Sequence, residues 1–529
     1  MRDFHRPGRS AVFATRAMAA TSMPEATLAA VDMMRAGGNA LDGAVTAAAV
    51  LGVVEPQSTG IGGDCFCLYK PHGKPVTALN GSGRSPAGMT MDALTAAGVS
   101  ELGPISPHTV TIPGALSAWE TLLGAHGRKG LDEVLQPAIR WAEEGFVVAP
   151  RVALDWRLSE DKLRAAGTRE LLVANAAPRV GHVMRLPNLA ASLRKVALGG
   201  AKAFYEGEMA AAMVRALRAL GGLHTEADFA NGLHAAEFVP PITTVFAGRD
   251  IWECQPNTSG IVALMIMAIL DGFAPASGAN PMDPLRLHRH IEAARLAYRD
   301  RDVYLADPRF MPVSVAQLLN PDHIARLRGL IDDKTAIRDL PPSSEFAGNT
   351  VYISVVDKDG NACSFINSLF QEFGSGIIAP GTGVLLQSRG RGFRLQRGHP
   401  NCVGPNKRPM HTIIPSIATE SGNAEIVFGV MGAHYQPMGQ SWVLANMLQY
   451  GCDPQEAIDL PRLFPYGGKV EVEDSIPDTV RAALTDKGHE IAAELPIPHG
   501  GAQAIRIDHE KGILIGGSDS RKDGCALGY

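Results

Sequence analysis

The sequence is short of charge, and what it has is nearly balanced. Charged residues make up 19% of its 529 positions, somewhat below the usual share of about a quarter. The 49 Lys and Arg face 54 Asp and Glu, for a formal net charge of −5. No basic surplus points to nucleic acid or to an anionic membrane. The N-terminal stretch MRDFHRPGRSAVFATRAMAAT has arginines but lacks the apolar core of a signal peptide. The most apolar segment near it, 44–54, is too short to cross a bilayer. A cytoplasmic protein with neither nucleic-acid nor membrane partners is the expectation.

Paired cysteine motifs are missing too. The seven cysteines are odd in number, and Cys65-x-Cys67 has no second pair to complete a zinc ribbon. Reduced thiols are expected, not a disulfide framework. The glycine-rich QSTGIGGD departs from G-x-G-x-x-G, lacks a following Gly-Lys-Ser/Thr, and leads into an alternating strand pattern. It reads as a close backbone approach near a site, not a phosphate loop. His288, His290 and Glu292 are the best metal candidates. They fall in a predicted helix, where residues two apart diverge, so no metal and no cofactor is expected.

Periodic apolar segments are plentiful. Residues 25–54 predict a helical hairpin, broken at Gly37-Gly38 and capped again by Asn39. Residues 115–230 read as mainly helical, followed by the helices IVALMIMAILDGF and 284–305. From 350 onward strands dominate: TVYISVVD, ACSFINSLF, GVLLQS, AEIVFGVMG, KVEVE, AQAIRID and ILIGGSD. The two parts meet near residue 350 without a low-complexity linker. One intertwined core of α+β or αββα type is the expectation.

At that junction stands NTVYISVVDKDGNACSF, a hairpin whose first strand begins at Thr350 after a long polar stretch, 332–349. A threonine hydroxyl needs a base beside it to act as a nucleophile. Cutting the chain between Asn349 and Thr350 supplies one. The freed α-amine, with a reference pKa of about 7.7–8.0, sits on the same residue as Oγ. A threonine that merely opens a hairpin is the plain alternative.

Seven ordered motifs decide between them by resemblance. They are GGNALDGAVTAAAVLGVVEPQSTGIGGD, TIPGALSAWE, EAARLAYRDRDVYLADP, NTVYISVVDKDGNACSF, FGSGIIAPGTGVLL, VGPNKRPMHTIIPS and GGSDSRKDGCALGY. Together the chain resembles the γ-glutamyltransferase family of N-terminal-nucleophile hydrolases. The resemblance implies a four-layer αββα sandwich with a helix-rich large chain. It also implies a precursor that cuts itself between Asn349 and Thr350. Residues 1–349 and 350–529 would then be the large and small chains of one globular heterodimer, open to further assembly. Thr350 would be the nucleophile, Ser368 its hydroxyl partner, and Gly432 with Ala433 the oxyanion site.

The amino-acid recognition set departs from the family. Ser82 stands where transpeptidases place a carboxylate-binding arginine, although Arg84 is near. Gly392 replaces the aspartate that holds a substrate ammonium, in a loop carrying Arg389 and Arg391. Phe370 replaces an asparagine, and His411-Thr412 a pair of serines. Arg84, Arg389, Arg391, His411, Thr412 and Ala433 are therefore the candidate substrate-binding residues. The implied activity is amide hydrolysis of a small molecule, γ-glutamyl or glutathione-like. Oxamate or another anionic acyl amide is the alternative, and a non-processing, non-catalytic homologue a third.

Overall fold

The computed structural model describes residues 8–274, 280–341, 348–493, 495 and 497–529, with Asn349 by its backbone alone. Part of the polar stretch before Thr350, residues 342–347, lies outside them. Two seven-stranded sheets, antiparallel throughout, face each other. In spatial order the first holds Val12–Ala14, Ile513–Ser518, Gly501–Asp508, Asn423–Met431, Ser416–Glu420, Arg249–Cys254 and Pro241–Phe246. The second holds Cys525–Gly528, Met18–Thr21, Asn349–Val356, Ala362–Phe370, Asp64–Lys70, Thr77–Gly81 and Glu237–Val239.

The side-chain alternation of Asn349–Val356 explains the layering. Val351, Ile353 and Val355 face a helical layer, while Tyr352 and Val356 enter a separate core between the sheets with Ile417, Val427 and Ile505. Helices Pro24–Arg35 and Ala40–Val54 cover the second sheet. Gly260–Asp271, Pro284–Tyr304 and Gln436–Tyr450 cover the first. The result is the four-layer αββα sandwich. As predicted, Asn39 caps the second helix: its side chain accepts from Leu41 N and Asp42 N, and Asp42 returns a bond to Asn39 N at 2.7 Å. That helix is apolar nearly all round because it is enclosed between sheet and helices.

Three sequence expectations change. GVLLQS forms no strand; its backbone bonds go to a loop and to the end of a strand, Gln387 N to Gly62 O and Ser388 N to Leu369 O. Asp64–Lys70 is buried at every position, not alternately, because its sheet has a core on both faces. The division into a helical first part and a stranded last part is also too sharp. Half the strands of the two large sheets precede residue 349, and helix Gln436–Tyr450 follows it.

The C-terminal loop is held by a buried ion pair. Arg462 donates to Asp519 and to His499 O, and Asp519 also accepts from Ala502 N at 2.6 Å. Both side chains are inaccessible to solvent. Asp519→Ala leaves the guanidinium buried and uncompensated, so we expect a loss of about 3–5 kcal/mol, read as a lower urea midpoint.

Candidate active site

Thr350 sits at an irregularity of the strand pairing. Asn349 pairs with Phe370 but Val351 with Asn367, so Thr350 alone opposes Ser368 and Leu369. Such a bulge re-aims a side chain. It leaves Thr350 Oγ1 3.0 Å from Ser368 Oγ, buried, with either hydroxyl able to donate.

Ser368 is held from behind. Its Oγ accepts from the Phe370 amide at 2.9 Å and from Arg389 Nη2 at 3.3 Å. Arg389 also donates to Thr412 Oγ1 at 2.9 Å and stacks over the Phe370 ring, 4.2 Å from its centroid. Its Nε finds no hydrogen-bond partner among the described residues. Arg389 is fully buried, and burial pushes its pKa down to about 9, which keeps it charged at neutral pH. Asp64 offsets that charge through space.

Asp64, paired in register with Ser368, collects four donors. One oxygen accepts from Gly83 N, Gly114 N and Gln387 Nε2 at 2.9, 3.0 and 2.9 Å. The other meets His411 Nε2 at 3.0 Å. Burial, together with the nearby Arg389 charge, pushes His411 down to about 3 against the pull of Asp64. The imidazole is therefore neutral, with Nε2–H given to Asp64 and Nδ1 towards Ile413 N at 3.4 Å.

The strand Asn423–Met431 ends at Gly432, and a 3-10 turn from Ala433 to Tyr435 leads into helix Gln436–Tyr450. Gly432 has φ +119°, and a Cβ there would lie 2.8 Å from Gly500 Cα, so only glycine fits. Gly348, one residue before Asn349, lies between the Phe370 carbonyl and the Ala433 methyl: a Cβ on it would reach them at 2.5 and 3.3 Å. The turn at the helix entry thus stands beside Gly348, one residue before the Asn349–Thr350 junction.

The structure unites Thr350, Ser368, Arg389, Thr412, Gly432 and Ala433, with His411 behind them. Arg84 does not join. Its guanidinium lies 3.3 Å from Asp307 and 3.4 Å from Asn406 O. Arg391 donates to Leu102 O and to Gln371. Ser82 is buried, its hydroxyl accepting from Asn257 Nδ2 at 3.1 Å. At Gly392 a Cβ would meet Met410 O at 2.7 Å, so the loop has no room for an aspartate. Of the metal candidates His290 turns away to Ser441, while His288 and Glu292 both lie against His489, at 2.8 and 3.9 Å, with His288 also bonding Asp332 O and Glu292 pairing with Arg295. No metal-holding cluster occurs among the described residues. Sequence reasoning missed Asp64 as the organiser; its one signal was a lone aspartate between a glycine-rich loop and an apolar strand.

Two apposed antiparallel sheets between helical layers define the fold of the N-terminal-nucleophile hydrolases. Within that class the chain belongs to the γ-glutamyltranspeptidase family, whose model matches residues 26–529. It is 34% identical to the glutathione hydrolase-like YwrD proenzyme of Bacillus subtilis, over 98% of this chain and 99% of that one. It is 33% identical to the oxamate amidohydrolase proenzyme of Klebsiella pneumoniae, over 97% and 99%. The crystal structure of cephalosporin acylase from Bacillus halodurans superposes with a TM-score of 0.92 at 37% identity, covering 100% of this chain and 99% of that one. No helix among the described residues is long and apolar enough to cross a membrane.

A histidine held neutral by burial is protonated only in the unfolded chain between its two pKa values, so its contribution lowers stability as pH falls below about 6.5. We expect the His411 ring to stay neutral at pH 5, read from its ring carbon and nitrogen shifts in selectively labelled protein.

Proposed function

We propose that this protein is a self-cleaving amide hydrolase with Thr350 as its nucleophile, acting on amides whose acyl group carries a carboxylate close to the scissile carbonyl. The observation that carries the reading is the line Thr350 Oγ1–Ser368 Oγ–Arg389, with steps of 3.0 and 3.3 Å.

In maturation, Thr350 Oγ attacks the Asn349 carbonyl, the acyl group shifts from nitrogen to oxygen, and water hydrolyses the ester. Residues 1–349 gain a C-terminal carboxylate, and Thr350 gains a free amine. In turnover that amine, in its neutral form, takes the Oγ proton as Oγ attacks the substrate carbonyl. Ser368, which already receives two N–H groups, steadies Oγ. The helix-entry amides at Gly432 and Ala433 receive the developing oxyanion. The ammonium returns its proton to the leaving nitrogen. Water, deprotonated by the same amine, then hydrolyses the acyl-enzyme.

Arg389 limits the acyl group. It lies within two hydrogen-bond steps of Oγ, a span that suits a carboxylate on the scissile carbonyl or one carbon away. A γ-glutamyl α-carboxylate stands roughly 5 Å from its scissile carbon when extended, against roughly 1.5–2.5 Å for a carboxylate on that carbon or one carbon away. An α-ammonium would also find no carboxylate at Gly392. The oxamate amidohydrolase among the relatives acts on a compound of the short anionic kind.

Three outcomes are expected. Intact mass spectrometry of the wild type gives two chains, the smaller starting at Thr350, whereas Thr350→Ala stays a single inactive chain of 56.0 kDa; a Thr350→Ala protein that still divides there would falsify the assignment. Among oxamate, malonamate, succinamate, glutaramate and γ-glutamyl-p-nitroanilide, kcat/KM is highest for the first two. A maximum at the γ-glutamyl compound would move the anchor away from Arg389. Finally, kcat/KM rises with pH through one ionisation at or below about 8, because the neighbouring cation disfavours a protonated amine. In Arg389→Leu protein that has divided, the ionisation moves upward and kcat/KM for oxamate falls at least tenfold.

A further inference from the structure

Beside the Asn349–Thr350 junction lies a cavity of about 460 Å³, of which the mechanism above uses only the edge at Gly432. Gly348 and Gly432 border it at the junction. One part of its wall is aromatic, and Arg151, Glu372 and Glu471 are among the charged residues on the rest. Tyr435 and His499 stack with ring centroids 5.0 Å apart and planes 19° apart, and Phe464 meets Tyr435 edge-on at 5.5 Å. Phe464 in turn stacks on Tyr466 at 5.4 Å. The Tyr435 hydroxyl, on a residue only 3% exposed, has no hydrogen-bond partner among the described residues. Lys522 and Asp155 stand on the lining as well.

The position of Gly348 fixes which part of a substrate meets this wall. Gly348 is on the acyl side of the bond that maturation breaks. The maturation ester and the turnover acyl-enzyme are the same bond on the same oxygen, facing the same amides at Gly432 and Ala433. The substituent on a substrate acyl group therefore runs where Gly348 runs, into the cavity. The volume falls in the range of about 300–1,000 Å³ usual for sites that enclose a drug-sized molecule. An unsubstituted short acyl group fills only a small part of it. Stacked rings with offset faces and edges accept a further aromatic ring by the same geometry.

We propose that this cavity binds an aryl or fused-ring substituent on the acyl group, so that the substrate is a branched, aromatic monoamide of a short dicarboxylic acid. The carboxylate goes to Arg389 and the ring to Tyr435, Phe464 and His499. The proposal rests on the reading of Thr350 and Arg389 given above and narrows its substrate class.

The test uses the divided wild-type enzyme and two pairs of probes. In the first pair, kcat/KM for 2-benzylmalonamate is compared with that for malonamate. In the second, binding of the product-like diacids benzylmalonate and malonate is measured by isothermal titration. We expect the benzyl compound to lead at least tenfold in both, and Phe464→Ala to bring both ratios close to one while the variant still divides. Equal binding of the two diacids by the wild type, or a ratio untouched by Phe464→Ala, overturns the cavity assignment. Tenfold tighter binding of benzylmalonate without turnover of either amide upholds the cavity and overturns the proposed reaction instead.

Discussion

The site depends on one buried carboxylate. Asp64 opens the strand Asp64–Lys70 opposite Ser368 and gathers the amides of Gly83 and Gly114, the Gln387 side chain and His411. Those four partners come from four distant stretches of chain. A buried carboxylate is tolerated only when its lone pairs are filled, so the need to satisfy Asp64 draws the loops together behind Thr350. The hydroxyl pair at the junction is positioned by this enclosure as much as by the sheet.

The same enclosure sets the charges. Arg389 is a cation in a dry place, held by two hydroxyls and an aromatic face in place of a direct ion pair. His411, squeezed by burial and by that cation, stays neutral. A fixed positive charge close to a hydroxyl favours whatever negative charge comes near it, whether an alkoxide on Thr350 or a carboxylate on a ligand, and low local polarizability strengthens the effect. With no acid at Gly392, the carboxylate nearest Arg389 is Asp64, whose oxygens are already taken by Gly83, Gly114, Gln387 and His411.

Some of the backbone strain falls around the junction. Phe370 (φ +80°), Phe373 (φ +56°) and Ala433 (φ +48°) all adopt conformations that side-chain-bearing residues avoid. Two of them flank Gly348, whose place between the Phe370 carbonyl and Ala433 only a glycine can take. Strained positions persist where the surrounding packing over-determines them, and here the surroundings are the two sheets meeting the entry of helix Gln436–Tyr450.

Much was legible along the chain because it is written in local patterns. The helical hairpin of 25–54, its Asn39 cap and the hairpin after Thr350 follow from periodicity, turn residues and hydrogen-bonding chemistry between neighbours. Ordered motifs carried the family and the fold. The GVLLQS segment was misread because apolar, β-branched residues mark burial as readily as they mark a strand, and only tertiary partners decide where backbone groups bond. The candidate substrate residues divided for the same reason. Arg84, Arg389 and Arg391 look alike in sequence; contacts with Asp307, with Ser368 and with Leu102 O, respectively, tell them apart. Side-chain type is local, so the sequence alone determined which chemistry was available. Distance, burial and the field of neighbouring charges arise only when remote segments pack, so tertiary structure alone decided which of those groups stand together at Thr350.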